Sequence, residues 1–402
     1  MATDCPSRDP VQLSASYSRE VLPLRVEIVS EVDSTSSLFL EWERLAGQRL
    51  FLAPRWLLTW WKHYRQAGSH LQIVTLRDDN CWLIGLAPWY RRHTWWSGDE
   101  IQMLGSGKVC SDYLSVLAKP GEKAQVVDAL AQYLPSQFAS VDRLFFEGLD
   151  ASDLVMHDLA SAMQARHYEV KKLPQLDSYR LTLPATWEEW VSQLSRSRRH
   201  RVRQLWRNQF ETGRATIHIA DQATLQHGFS ILVNLHQKRR NQMGQRGCFA
   251  SQRFHHFLEE AAREHLESGQ LRLQWIELEG RPIAVELDLE EGDTLLHYCS
   301  GIEIDCDYAR PGWLGITAAI RHAIDSGKAT FDFLRGDEGY KSHWRGQPVP
   351  MMNLEFTPPR FSAKIRSQVR GSLRLAKQKA KRILRRSAKS EQTEGHSSDE
   401  GK

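Results

Sequence analysis

Residues 271–301 read LRLQWIELEGRPIAVELDLEEGDTLLHYCSG. Apolar and polar side chains alternate through LRLQWIEL (271–278) and PIAVELDL (282–289), which meet at Glu279–Gly280, and TLLHYCSG (294–301) resumes after the Glu291–Gly292 turn. Period-two alternation broken only by short glycine turns makes this stretch successive strands rather than helix. A helix from about Trp313 to Ser326 ends at Gly327, the residue type that tolerates a left-handed cap, and strand ATFDFL (329–334) follows. The second half of the chain is therefore predicted to be α/β.

The first half shows the same order less plainly. From Leu22 onward come strand LRVEIV (24–29), a Trp-rich helix after Pro54, a hairpin of LQIVTL and CWLIGLAPWYRR around Arg77–Asn80, a helix near Glu122–Leu134, and VDRLFFEGLD (141–150). Phe145, Glu147 and Gly148 stand in LFFEGLD as Phe333, Arg335 and Gly336 stand in DFLRGDE, an internal repeat at the level of a helix followed by a strand. Between the halves, residues 183–213 place Thr186 and Glu189 at capping-box spacing and Trp190, Val191, Leu194, Val202, Leu205 and Trp206 at helical spacing, which predicts one long, basic connecting helix ending at Gly213. A length of 402 residues suits two domains. We assign a polar, disordered segment at 1–21, a first domain at 22–180, a second and catalytic domain at 181–358, and a tail at 359–402.

The net charge of +4 is unevenly spread, because residues 360–402 hold 13 Lys and Arg against 4 Asp and Glu. The body is left acidic, at about −5. Phosphate neutralisation requires a positive surface on the folded part, so nucleic acid is not an expected partner. In the tail, Phe361, Ile365, Val369, Leu373, Ala376, Ala380 and Ile383 recur every three or four residues among basic side chains, with no acid before Glu391. Residues 360–389 thus read as a basic amphipathic helix for an anionic membrane surface or a protein partner. No run approaches about 18 apolar residues, and MATDCPSRDP lacks the charged start and apolar stretch of a secretory leader. The expected location is cytoplasmic, peripheral at the inner face of the membrane. Six cysteines without CxxC or other ligand spacing read as reduced structural thiols, and no metal is expected.

Candidate site residues gather in two places. In FDFLRGDEGYKSHWR (331–345), charge follows directly on an aromatic strand and glycines punctuate the loop beyond it, the position where ligand crevices form in α/β sheets. Asp332 reads equally as a buried carboxylate with a raised pKa or as a turn cap. The second place is the start of the 313–326 helix, where free N–H groups, Gly312, Gly315 and the charge of Arg310 suit a phosphate. Glu286 lies mid-strand, either as a base in a groove or on a solvated face. His236 shares a helical stripe with Phe229, Leu232, Val233 and Met243, which favours a core histidine over a substrate ligand, while Arg239 and MGQRG (243–247) suit substrate binding.

With these pieces in order, the chain resembles the CelD/BcsL family of GNAT-type acyltransferases and, more remotely, Fem-type aminoacyl transferases. The blocks that carry the resemblance are SRSRRHRVRQLWR (195–207), LHQKRRNQMGQRGCF (235–249), GRPIAVEL (280–287), ARPGWLGITAAI (309–320) and FDFLRGDEGYKSHW (331–344), with FLAPRWLLTWW, LIGLAPWYRR and LGSGKVCSDYL in the first half. It implies two tandem GNAT-like domains, each a mixed, mostly antiparallel sheet flanked by helices. It implies acetyl-CoA as acyl donor, held at Arg310, Gly312, Trp313, Leu314 and Gly315, although Trp313 stands where the usual GNAT fingerprint has glycine. Lys341, in Tyr340–Lys341, looks like the lysine held to stabilise the tetrahedral intermediate in Fem-type relatives. Asp337 is then its orienter or a base, Tyr340 a proton donor, Asp332 a further catalytic candidate, and Arg239, His236, Glu286 and Arg335 contacts to substrate. The implied activity is transfer of an acetyl group to an amino or hydroxyl group of a small or glycan-linked, sugar-containing precursor, with cellulose or exopolysaccharide synthesis suggested by the family's naming. A Fem-like, aminoacyl-tRNA-dependent transferase and a non-catalytic scaffold for a polysaccharide synthase are the alternatives.

Overall fold

The computed structural model describes residues 23–95, 97–306, 309–336 and 338–373. The first half contains β1 (Arg25–Val29), α1 (Ser37–Ala46), α2 (Pro54–Tyr64), β2 (His70–Arg77), β3 (Leu83–Thr94), β4 (Gly98–Met103), β5 (Leu117–Ala118), α3 (Lys123–Gln137), β6 (Arg143–Asp150), α4 (Leu154–Ala165) and β7 (Glu169–Pro174). The second continues with β8 (Ser178–Thr182), α5 (Trp187–Gln193), α6 (Arg196–Trp206), β9 (Ala215–Ile219), α7 (Leu225–Gln242), α8 (Gln252–Glu267), β10 (Leu271–Leu278), β11 (Arg281–Glu291), β12 (Thr294–Ile302), α9 (Pro311–Asp325), β13 (Thr330–Asp332), α10 (Tyr340–His343), β14 (Gln347–Val349) and β15 (Met351–Thr357).

The meander forms as predicted: β10 pairs with β11 and β11 with β12, both antiparallel. One sheet runs β1-β2-β3-β4-β6-β15-β7 and the other β9-β10-β11-β12-β13-β8-β14. In each, four antiparallel strands lead to one short parallel pair. Glu100–Gln102 of β4 lie beside Arg143–Phe145 of β6, and Thr294–Leu296 of β12 beside Thr330–Asp332 of β13. The two mixed, mostly antiparallel sheets with flanking helices match the predicted fold class, and the repeat signalled by Phe145 and Phe333 extends to the whole strand order.

Two expectations differ from the structure. β8 belongs to the second sheet, beside β13 and β14, while β15 enters the first between β6 and β7. A boundary between 180 and 181 therefore cuts β8, and 181–358 includes a strand of the other sheet. Alternation identifies a strand but not its partner. The long connecting helix is likewise two. Thr186 Oγ1 accepts from Glu189 N at 3.2 Å and starts α5 as the capping spacing predicts, but Leu194 is extended (ψ 156) and α6 begins after it. The break lets Trp190, Val191 and Leu194 join Val202 in one apolar cluster beneath α9, which a straight rod would spread apart.

The halves share an apolar core, in which Trp56 of α2 packs edge-on against Phe257 of α8 and Tyr298 of β12. At its rim two buried carboxylates fasten them together. Asp112, from the loop after β4, accepts the Arg335 backbone N–H at 2.7 Å and lies 2.9 Å from Arg335 Nε. Asp332, at the end of β13, accepts from Tyr113 Oη (2.7 Å), Ser178 Oγ (2.9 Å), Arg180 Nε (2.8 Å) and the Leu334 N–H (2.8 Å). Tyr113 and Leu334, both held by this cluster, adopt left-handed φ values of 60° and 56°, which side chains other than glycine seldom take without such constraint.

Residues 361–373 form a helix on the first sheet, burying Ala363, Ser367 and Arg370. The apolar stripe predicted to face a membrane surface or a protein partner points outward: Phe361, Ile365, Val369 and Leu373 are 80, 44, 52 and 57% exposed. The predicted continuation to residue 389, like residues 1–21, lies outside the described residues. Among the described residues no helix is long and apolar enough to cross a membrane.

Asp332→Ala strips one acceptor from four donors, so the free energy of unfolding should fall by roughly 3 kcal/mol. A urea titration checks this, and an unchanged midpoint would deny Asp332 its structural role.

Candidate active site

The parallel pair β12/β13 is bonded over three positions only. Beyond Leu296 and Asp332 the strands part, and a cleft of about 460 Å³ opens between His297–Ser300 on one side and Phe333–Arg335 on the other. Helix α7 contributes His236, Arg239 and Arg240, the first half contributes Lys108–Cys110, and Glu338, Tyr340 and Lys341 complete the wall. Parting strands expose backbone and side chains that a continuous ladder would cover, at the strand ends where crevices are expected.

Lys341 is buried in this wall. Its ammonium donates to Leu334 O at 2.9 Å and pairs with Glu338 Oε2 at 2.9 Å. The nitrogen also lies 5.8 Å from the centre of the Tyr179 ring; an ammonium has three N–H groups, so one is without a hydrogen-bond acceptor among the described residues. Burial of Glu338 is outweighed by this pairing, which holds its carboxyl below the usual range. Tyr340 lines the cleft with its phenol pushed upward, first by burial and then by Glu338 and Glu286. Asp337 lies outside the described residues.

Asp332 is corrected from catalytic candidate to structural anchor, since four donors saturate its fully buried carboxylate. Arg335 lines the cleft, but its guanidinium is drawn to Asp112. Burial pushes the Asp112 carboxyl up to about 6 against the pull of that guanidinium. Arg239 faces the cleft and makes no ion pair among the described residues, which leaves its charge for a ligand.

Glu286 is not on a solvated face. Helix α9 covers that side of β11, and a Cβ at Gly315 would collide with Glu286 Oε1, so glycine leaves the carboxylate room in its present position. Burial pushes its carboxyl up to about 8. Its Oε2 lies 3.5 Å from His297 Nε2, and His297 Nδ1 donates to Asp288 Oδ1 at 2.7 Å. His297 was not singled out from sequence. A lone histidine in TLLHYCSG is unremarkable until the register sets it opposite Asp288, while Asp288 and Glu286 share a face through strand alternation. Burial lowers the imidazole pKa, but Asp288 and Glu286 outweigh it and raise it overall, with the Lys341 charge opposing them. The cleft wall thus sets His297, backed by the buried carboxyls of Glu286 and Asp288, in the same cleft as the Lys341 cation.

The expected phosphate cradle is not part of the cleft wall. Arg310 is exposed at the helix start, the N–H groups of Trp313 and Leu314 both donate to Arg310 O, the Leu314 side chain is buried in an apolar cluster, and Gly315 is pressed on Glu286. Gly312 is partly buried over Ile302. The cationic side chains that do face the cleft are Lys108, Arg239, Arg240, Arg335 and Lys341.

His236 is buried, as the helical stripe predicts, yet it also reaches the cleft wall beside Cys248 and Cys299. Cys248 Sγ lies 3.5 Å from His236 Nε2. Hydrogen bonding from Cys299, resisted by burial and aided by His236, draws the Cys248 thiol below its usual range, and Cys299 is correspondingly raised. The sequence spacing gave no sign of this cluster, because its members come from α7, the loop before α8, and β12.

Comparison with known proteins agrees with this geometry. Residues 196–342, which span the cleft-bearing half, match the family described as Acetyltransferase (GNAT) domain. The chain superposes on the crystal structure of FemX with a TM-score of 0.58 at 11% identity, covering 82% of this chain and 96% of that one. A conserved protein of unknown function from Bacteroides thetaiotaomicron VPI-5482 gives a TM-score of 0.52 at 11% identity, over 83% of this chain and 100% of that one. At such identity these likenesses speak for the fold alone. No curated protein sequence matches the chain significantly. Residues 196–342 are thus similar to GNAT acetyltransferase domains, and the chain as a whole shares its fold with FemX.

Proposed function

We propose that the chain is an acyltransferase that takes an acyl group, acetyl in the simplest case, from an acyl-CoA thioester in the β12/β13 cleft and passes it to an amino or hydroxyl group. The observation that carries this reading is the parting of β12 and β13 around Lys341 and His297. A thioester carbonyl in the gap would receive the third N–H of Lys341 where negative charge develops. The Glu286–His297–Asp288 array takes the proton that the attacking group gives up. Arg239, Arg240 and Lys108, rather than Arg310–Gly315, offer charge to the donor's phosphates. The resemblance to CelD/BcsL proteins supports a sugar-containing acceptor. A second reading, an aminoacyl ester of transfer RNA as donor, is favoured by the FemX-like tandem fold and uses the same cleft chemistry. Calorimetry with acetyl-CoA separates the two: saturable heat supports the first, whereas no heat combined with RNA-dependent aminoacyl transfer supports the second.

Residues 361–373 support a surface role. An outward apolar stripe on a helix that also exposes Lys364 is matched to an anionic lipid interface. Sedimentation with phosphatidylglycerol vesicles should capture the protein, and Ile365→Asp with Val369→Asp should abolish capture; equal sedimentation of both proteins would remove that role.

Lys341→Met should lower turnover by about 10²–10³-fold, the usual loss for one oxyanion donor, while acetyl-CoA affinity by calorimetry stays nearly unchanged. Unaltered turnover would exclude Lys341 from the chemistry.

Glu286, facing His297, Asp288 and the charge of Arg239, is held protonated until pH reaches about 8. Below that value the array is already occupied by a proton, so kcat/KM should rise with pH and level off above it. Glu286→Gln should move that limb to lower pH, where His297 alone titrates, and a limb that stays in place would remove Glu286 from the array.

A further inference from the structure

The cleft holds a second cluster that the acyl-transfer chemistry above does not use. His236 on α7, Cys248 in the loop before α8 and Cys299 on β12 bring one imidazole nitrogen and two sulfurs within 4.8 Å of one another. We propose that these three side chains bind a divalent transition metal ion, with zinc the best chemical match, and that its fourth coordination position opens into the cleft.

The donor set argues first. Two thiols and an imidazole suit zinc and its neighbours, whereas magnesium and calcium require oxygen ligands. The spacing argues second. A tetrahedral zinc with Zn–S of about 2.3 Å and Zn–N of about 2.0–2.1 Å has an S···N edge of about 3.5 Å. Cys248 Sγ and His236 Nε2 are 3.5 Å apart.

The supporting structure argues third. Gly301 lets α7 approach β12, since a Cβ there would stand 2.8 Å from His236 N and 2.9 Å from Leu235 Cβ. That close approach is what delivers His236 to Cys299. His236 Nδ1 lies 3.3 Å from Gln237 Oε1, which directs the other nitrogen, Nε2, toward Cys248. Gln237 Nε2 donates in turn to Arg246 O at 2.9 Å, tying the imidazole to the loop that carries Cys248. A partner on the far nitrogen that fixes the ring is the usual support of a metal-bound histidine. Two thiolates and a dication sum to zero charge, which suits a wall already crowded with arginine. Three protein ligands with one open position are the pattern of zinc sites that meet a substrate rather than of closed structural ones. The proposal does not depend on the identity of the acyl donor, because its test reads metal binding and not turnover.

The test is a titration of the reduced, chelator-treated full chain with cobalt(II), followed by zinc. One equivalent of cobalt should give thiolate charge-transfer absorption and the intense visible bands of tetrahedral coordination, and one equivalent of zinc should displace it. Zinc should also protect two thiols from a disulfide reagent. Cys248→Ser and Cys299→Ser should each lose the charge-transfer signal of one thiolate and most of the affinity. Gln237→Ala should weaken binding by about 10–100-fold, and Cys306→Ser, buried in the apolar cluster beside α9, should change nothing. The proposal is overturned if wild-type protein takes up no stoichiometric cobalt. It is equally overturned if the spectrum survives loss of both cysteines, or if Cys248 and Cys299 join as a disulfide while the reduced chain shows no metal affinity.

Discussion

Two carboxylates without access to water, Asp112 and Asp332, decide where the cleft is. A buried carboxylate is tolerable only when donors surround it, and here the donors come from both halves of the chain. Satisfying Asp332 fixes Leu334 in a left-handed conformation, and satisfying Asp112 fixes the next residue. The Leu334 carbonyl is thereby aimed at the Lys341 ammonium. The position of the one cation central to the proposed chemistry is thus set two bonds away, by electrostatics at the junction of the halves. Arg335, whose sequence position suggested a substrate contact, serves that junction.

The sequence displayed the local pieces well. Alternation located the meander and the strand before the charged loop, and the capping spacing located the start of α5. Of the charged residues after Phe333, Arg335, Glu338 and Lys341 line the cleft. Partner choice was not legible: nothing within β8 or β15 says that each completes the opposite sheet. Nor was the burial of Glu286, because VELDL alternates equally well on a wet face or beneath a helix, and the helix that covers it, α9, is a separate element. His297 and the Cys248–Cys299 pair were hidden for the same reason. Their meaning arises from register and helix packing, not from spacing along the chain.

Charge in the cleft is arranged in opposition. Lys341 pulls against the Asp288–Glu286 influence on His297, so the imidazole reports on both sides of the proposed reaction. A bound anion that neutralised the lysine would let the carboxylates dominate and strengthen the imidazole as a proton acceptor.

The exchange of β8 and β15 bears on how such a chain emerges from the ribosome. Until Met351–Thr357 appear, β6 presents a naked edge and β7 has no sheet to join, while β8 waits for strands some 150 residues downstream. Neither half can mature ahead of the other. Vectorial, domain-by-domain maturation, the ordinary safeguard of long polypeptides, is therefore incomplete in this architecture until the last strand is made.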